Sequence, residues 1–229
     1  MVTLRAMPNA PTPRYERKYL IQQVPVHLVR QIIAQHPASF RTLYPDRQIN
    51  NIYFDTPDFT TYKANVVGTG VRKKFRVRWY GDDFWEVRKP KLEIKHRNNQ
   101  TGTKDFFDLE SFDWQHLPEL THTVNRLTHN GGLLQPMLLT HYHRAYLGTG
   151  DQKFRLTIDT AQHFMGVRNY HFAAATRSAR RFRRAPDTVV LELKYDAPHD
   201  DDAQRILQYL PFRQTKSSKY VNGVELVYG

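Results

Sequence analysis

Arg76 and Arg78 stand at alternate positions of a segment that is otherwise rich in apolar residues, and Tyr80 follows them at the same spacing. In an extended strand, successive side chains point to opposite faces, so these three side chains share one face. Neighbouring guanidinium groups repel each other, and an anion that binds both relieves the repulsion. The predicted strand 71–79 therefore indicates an anion site, provided that other strands bring charges to the same place.

Five further predicted strands have the same pattern of one charged and one apolar face. One such strand is typical of a sheet with a solvated side, but six of them favour a shared charged interior. Helices are available to cover the apolar faces. The interior would then hold the basic groups Lys18, Arg76, Arg78, Lys95, Arg144, Arg155 and Lys194 and the acids Glu16, Glu93, Asp159 and Glu192.

A chain of phosphates is the ligand that best fits such an interior. Arginine binds phosphate oxygens bidentately and lysine adds a compact charge, whereas buried cations without a counter-charge are costly. The acids have two open roles: they pair with the bases, or they hold a divalent cation. Carboxylates suit Mg²⁺ or Mn²⁺, and Glu192 is the first candidate ligand, with Glu16 next.

The composition agrees with an anionic partner. The 229 residues include 34 Lys and Arg against 22 Asp and Glu, a formal net charge of +12. There is no cysteine, so disulfides, thiolate metal sites and cysteine nucleophiles are excluded. No apolar run is long enough to span a bilayer. We expect a soluble, cytoplasmic protein, unless a membrane partner anchors it.

The pattern of elements predicts one α+β domain, residues 14–229, behind a flexible arm, residues 1–13. Predicted strands cover 14–22, 49–55, 71–79, 84–97, 103–111, 137–147, 152–160 and 188–195. Short helices are expected after Pro25 and at 58–65, 116–130 and 217–226, with a further helix start at 198–202. Eight strands with few helices favour a large antiparallel sheet that can close into a barrel.

Eight short motifs, in order over residues 14 to 220, resemble the triphosphate tunnel metalloenzymes, and within them the VTC (vacuolar transporter chaperone) polyphosphate polymerase domain. The motifs are YERKY at 15–19, IYFD at 52–55, RVRWYG at 76–81, LEIK at 92–95, YHRAY at 142–146, RLTID at 155–159, LELKY at 191–195 and KSSKY at 216–220.

This resemblance implies an eight-stranded antiparallel tunnel in which the γ-phosphate of ATP is transferred to a growing polyphosphate with Mn²⁺ or Mg²⁺. It implies catalytic contacts with phosphate for Lys18, Arg76, Arg78, Lys95, Arg144 and Arg155. It further implies substrate binding by Lys194, Lys216, Lys219 and Tyr80, and metal binding by Glu192 and Glu16.

One departure qualifies the resemblance. Position 14 is Arg, so the paired-glutamate motif of the CYTH-type triphosphatases is incomplete, which favours the VTC branch over two-metal hydrolysis. Hydrolysis of tripolyphosphate or nucleoside triphosphates remains an alternative, as does a non-catalytic polyphosphate-binding module. The basic segment 176–186 is either a solvated loop or a docking patch for polyphosphate, acidic lipid or nucleic acid; no motif for specific nucleic-acid recognition is present.

Overall fold

The computed structural model describes residues 14–98, 101–131, 133–168, 182–185 and 187–229. In these residues, nine strands form one sheet and five α-helices flank it. The strands are β1 (Arg14–Gln22), β2 (Arg41–Asp55), β3 (Val71–Tyr80), β4 (Lys91–Asn98), β5 (Thr101–Asp108), β6 (Gln135–Gly148), β7 (Phe154–Gly166), β8 (Arg183–Arg184) and β9 (Thr188–Asp196). The helices are α1 (Val26–Ala34), α2 (Thr60–Val67), α3 (Leu117–Thr128), α4 (Asp200–Leu207) and α5 (Lys219–Tyr228).

The sheet is antiparallel, with the strand order β1-β9-β7-β6-β2-β3-β4-β5 and the short β8 paired to β7. This confirms the predicted α+β fold with a large antiparallel sheet. The hydrogen-bonded ladder stays open, because β1 and β5 are its two edges in the described part of the chain. Side chains bridge the opening from within: Nζ of Lys95 on β4 lies 3.3 Å from Oε2 of Glu16 on β1.

The hydrophobic core lies outside the curved sheet. On one side, Val77 and Leu92 pack with Val124 of α3 and other apolar residues. On the other side, Leu191 of β9 packs in a cluster that includes Ile33 of α1. Burial of an aliphatic side chain stabilises the fold by about 1.5–3 kcal/mol, so the strands turn their apolar faces outward to the helices and their charged faces inward.

Helix α5 lies against the inner face at one end of the sheet. Ser218 caps its first turn by accepting a hydrogen bond from the amide of Val221. Tyr220 stacks on Tyr53 with ring centroids 5.2 Å apart, and Tyr53 pairs in register with the inward Arg76. A Cβ at Gly223 would overlap Phe164 and Leu138, so glycine permits the close approach of helix and sheet.

Three element boundaries differ most from the sequence prediction. Strand β2 begins at Arg41 rather than at residue 49, because its first residues are exposed and lack an alternating apolar pattern. Residues 84–90 are not a strand beyond a single bridge at Val87, and β4 begins at Lys91, after Pro90, which has no amide to donate to a ladder. Strand β7 continues to Gly166.

The basic segment 176–186 falls mostly outside the described residues: only 182–185 are described. There, Arg183 and Arg184 form β8, and the ring of Phe182 packs against Phe84 and His141. No helix in the described part of the chain is both long enough and apolar enough to cross a membrane.

Candidate functional site

The inner face of the sheet carries three groups of opposite charges, each drawn from elements that are distant in the sequence. We name them the Glu93 cluster (Glu93, Arg76, Arg78), the Asp159 cluster (Asp159, Arg144, Lys219) and the glutamate cluster (Glu16, Glu192, Lys18, Lys95, Lys194). The alternation of side chains in each strand, with apolar residues facing out, brings these groups together.

In the Glu93 cluster, one carboxylate on β4 pairs with both arginines of β3. Arg76 donates through Nε at 2.8 Å and through a second nitrogen, while Nη1 of Arg78 lies 3.2 Å from the other oxygen. Burial raises the pKa of Glu93, but the two guanidinium groups outweigh it and lower this pKa to about 2. Nε of Arg78 also donates to Oδ1 of the buried Asn51 (3.1 Å), so the two arginines are held side by side.

In the Asp159 cluster, a fully buried carboxylate on β7 joins two cations from other elements. Arg144 of β6 donates to it at 2.5 and 2.7 Å, and Nζ of Lys219, the first residue of α5, donates at 2.5 Å. Burial raises the pKa of Asp159, but both cations together lower it to about 2. The ring of Tyr142 lies beside both cations, 5.4 Å from Cζ of Arg144 and 4.6 Å from Nζ of Lys219.

In the glutamate cluster, Lys18 and Lys194 bridge Glu16 and Glu192. Nζ of Lys18 lies 3.2 Å from Glu16 and 3.6 Å from Glu192, while Lys194 contacts Glu192 and lies 3.9 Å from Glu16. Burial opposes ionisation of Glu192, yet Lys18 and Lys194 hold its pKa well below its ordinary value. Oε1 of Glu192 is buried and lies against Nζ of Lys194, so a metal ion bound there would share this carboxylate with the lysine.

The inner face has more positive than negative charge. The three clusters contain seven cations and four carboxylates. Lys74 of β3 adds another cation: its Nζ donates to Oγ of Ser218 (2.9 Å), and it has no carboxylate partner in the part of the chain that the structure describes. Burial lowers the pKa of Lys74 to about 7, aided by nearby Lys95 and Lys18. An excess of buried and half-buried cations of this kind is suited to binding a polyanion.

Eight of the twelve site residues expected from the sequence meet on the strands of this face, and Lys219 joins them from α5. The other three lie at its margins. Arg155 is exposed near the start of β7 and has no ion-pair partner among the described residues. Lys216 is exposed in the loop along the free edge of β1, where the amide of Thr215 donates to the carbonyl of Lys18 (2.8 Å). Tyr80 ends β3, half-exposed, with Arg47 over its ring.

The residues of this face that were missed from the sequence include Lys74, Asn51 and Arg47. Lys74 precedes Arg76 by two positions, so the alternation that identified the arginines could have found it. Asn51 is buried among apolar residues of β2, and only the pairing of β2 with β3 shows that its amide contacts Arg78. Arg47 lies in the part of β2 that the sequence pattern did not predict.

The described residues contain no group of three or more His, Asp or Glu side chains that could hold a metal ion by themselves. Glu192 and Glu16 together offer two carboxylates. Magnesium in phosphate-handling proteins is commonly held by one or two carboxylates, with the substrate phosphates as further ligands. The two carboxylates, which Lys18 and Lys194 bridge, therefore fit a hard divalent cation bound together with a phosphate.

Solved structures with the same fold come from several organisms. A candidate adenylate cyclase from Vibrio parahaemolyticus has 12% identity and a TM-score of 0.52, covering 93% of this chain and 99% of its own. A candidate adenylyl cyclase from Hippeastrum, described as having a dominant triphosphatase activity, has 15% identity, a TM-score of 0.52 and coverages of 93% and 97%. A candidate adenylate cyclase from Bacillus halodurans has 14% identity, a TM-score of 0.50 and coverages of 95% and 98%.

At these identities the likeness shows the fold alone, which is the tunnel fold that the sequence motifs implied. A search of curated protein sequences found no match. The sequence profile of the VTC domain, in contrast, matches residues 13–228. Since this match spans nearly the whole chain and confirms the resemblance carried by the strand motifs, the protein belongs to the VTC domain family.

Proposed function

We propose that this protein is a metal-dependent polyphosphate polymerase that transfers the γ-phosphate of ATP to a growing chain of inorganic polyphosphate on the inner face. The observation that carries the proposal is the excess of cations over carboxylates on that face. Membership of the VTC domain family supports the reaction type.

Substrate binding would exchange carboxylate partners for phosphate oxygens. Glu93 holds Arg76 and Arg78 side by side, with guanidinium groups that can bind phosphate bidentately. Arg144 and Lys219 are oriented in the same way by Asp159, and Lys95 and Lys18 by Glu16. Because the cations are already positioned, little side-chain entropy is lost when the phosphates bind.

Phosphoryl transfer needs charge stabilisation and alignment more than covalent chemistry. Arg76, Arg78 and Arg144 would stabilise charge on the transferred group and keep the donor and acceptor in line. The acceptor is a terminal phosphate oxygen, which is already anionic near neutral pH, so no strong general base is required. Glu192, with Glu16, would hold Mn²⁺ or Mg²⁺, which neutralises phosphate charge when bound.

One assay separates synthesis from its alternatives. Purified protein is incubated with ATP and Mn²⁺, and the products are resolved as a polyphosphate ladder or as free phosphate. A ladder supports the polymerase. Free phosphate alone supports hydrolysis, the activity described for the Hippeastrum protein of the same fold. Neither product, with retained binding of polyphosphate, supports a non-catalytic binding module.

The Arg76→Ala and Arg78→Ala variants test whether the inner face carries the activity. Each should abolish turnover while circular dichroism and thermal unfolding still indicate a folded protein. Arg88→Ala is the matched control, because Arg88 is an exposed arginine that pairs only with Glu86 among the described residues. Full activity of either inner-face variant would refute the proposed site.

A further inference from the structure

One arginine on the inner face is held by aromatic rings instead of a carboxylate. Cζ of Arg47 lies 4.7 Å from the ring centroid of Tyr80, 4.8 Å from that of Tyr146 and 5.8 Å from that of Tyr44. Tyr44 and Tyr146 meet edge to face, with centroids 5.9 Å apart and planes at 88°. In the described part of the chain, Arg47 makes no ion pair. We call these four residues the aromatic platform.

The platform continues the row of phosphate-binding candidates. Tyr80 follows Arg78 by two positions on β3, and Tyr146 follows Arg144 by two positions on β6, so each pair shares a strand face at a spacing of about 7 Å. Helix α5 contacts Tyr53 and Leu138, toward the opposite ends of β2 and β6. The platform therefore lies at the end of the inner face away from α5, two residues beyond Arg78 and Arg144 along their strands.

The platform is open to a ligand. Tyr44 is 57% exposed and Tyr80 is 43% exposed, so aromatic surface of the platform is accessible to solvent. Phosphate alone gains nothing from tyrosine faces. Flat, π-rich ligands gain stacking energy from tyrosine rings and from an arginine plane, and every nucleobase has such a face.

We propose that Arg47, Tyr44, Tyr80 and Tyr146 form a stacking site for the nucleobase of a nucleoside triphosphate whose phosphates lie on the inner-face cations. The inference rests on the proposed function, because it needs the triphosphate to bind there. Stacking contacts the flat face of a base and not its hydrogen-bonding edge, so ATP and GTP should bind with similar Kd values.

The test compares three ligands on the intact protein by calorimetry: inorganic tripolyphosphate and the non-hydrolysable analogues of ATP and GTP. The variant Tyr44→Ala removes the most exposed ring of the platform. It should raise the Kd of both nucleotides roughly 5- to 100-fold and leave the Kd of tripolyphosphate within about twofold. Arg47→Lys, which keeps the charge and loses the planar group, should have the same selective effect. Tyr209→Ala, an exposed tyrosine that packs on His36 outside the inner face, is the control.

Equal losses for nucleotides and tripolyphosphate would overturn the platform and make these residues part of the phosphate site. Unchanged nucleotide binding in both variants would also overturn it. In either case wild-type binding of tripolyphosphate would leave the proposed function standing. If wild-type protein binds neither tripolyphosphate nor nucleotide, the proposed function fails and the platform fails with it.

Discussion

Asp159 provides the sharpest test of how the inner face is held together. Its side chain is fully buried, and it accepts hydrogen bonds from Arg144 on β6 and from Lys219 at the start of α5. The Asp159→Asn substitution keeps the shape of the side chain and removes its charge. The amide keeps one acceptor oxygen, and its NH₂ group places donors against the cation that bonded to the other carboxylate oxygen.

The magnitude follows from the burial of Asp159 and Arg144. Loss of one partner from a buried ion pair leaves an uncompensated charge and typically costs about 3–5 kcal/mol. Arg144 is itself buried, so it cannot regain solvation by turning outward. For a chain of this size, each kcal/mol lowers the Tm by about 2–4 °C, which predicts a fall of roughly 6–20 °C.

The assay is urea unfolding of wild type and variant at pH 7, followed by circular dichroism, with thermal unfolding as a second measure. Asp201→Asn is the matched control, because Asp201 is exposed in the first turn of α4 and its charge contributes only a few tenths of a kcal/mol through the helix dipole. A loss below about 1 kcal/mol for Asp159→Asn would refute the claim that Asp159 ties β6 and α5 together.

Other perturbations test individual charges. Asp159 and Glu93 both have pKa values of about 2, below their unfolded values, so their contribution to stability is complete above about pH 5 and is lost as the pH falls toward 2. Urea unfolding should therefore give a free energy of unfolding that is several kcal/mol lower at pH 3 than at pH 7. Equal stability at the two pH values would contradict this prediction. Lys74 has a pKa of about 7, and bound phosphate favours its charged form, so tripolyphosphate should bind more tightly at pH 6 than at pH 8.5. Lys74→Met should reduce this difference in Kd, as measured by calorimetry. The same pH dependence in the variant and in wild type would count against Lys74 as a ligand. Glu192→Gln should lower metal-dependent turnover by roughly 100-fold, while tripolyphosphate still binds in the absence of metal. Full turnover of this variant in excess Mn²⁺ would exclude Glu192 as the metal ligand.

The sequence predicted which face of each strand carries charge, because that property is local. Side chains alternate with a period of two, and the apolar partners of Arg76, Glu93 and Glu192 identify the buried outer face without any knowledge of neighbouring strands. The same reasoning predicted α5 from residue 217 onward. Glycine is a poor helix former, but Gly223 allows α5 to pack closely on Phe164.

The sequence could not predict where strands begin when their first residues are exposed. The early part of β2 lacks an apolar pattern, so Tyr44 and Arg47 were not assigned to a strand. Arg155 illustrates the opposite case: its alternation is right, but its position near the start of β7 leaves the side chain exposed instead of inside the Asp159 cluster.

By itself, the sequence determined that this chain has a charged inner face suited to phosphates, and its ordered motifs indicated the family. Only the tertiary structure decided which charges meet. Glu192 pairs with Lys18 because β9 lies beside β1, although more than 170 residues separate them. Lys219 reaches Asp159 because α5 packs on the inner face. Such pairings depend on strand order and register, which are set by the burial of the entire apolar outer face of the sheet. No short segment of the sequence specifies them.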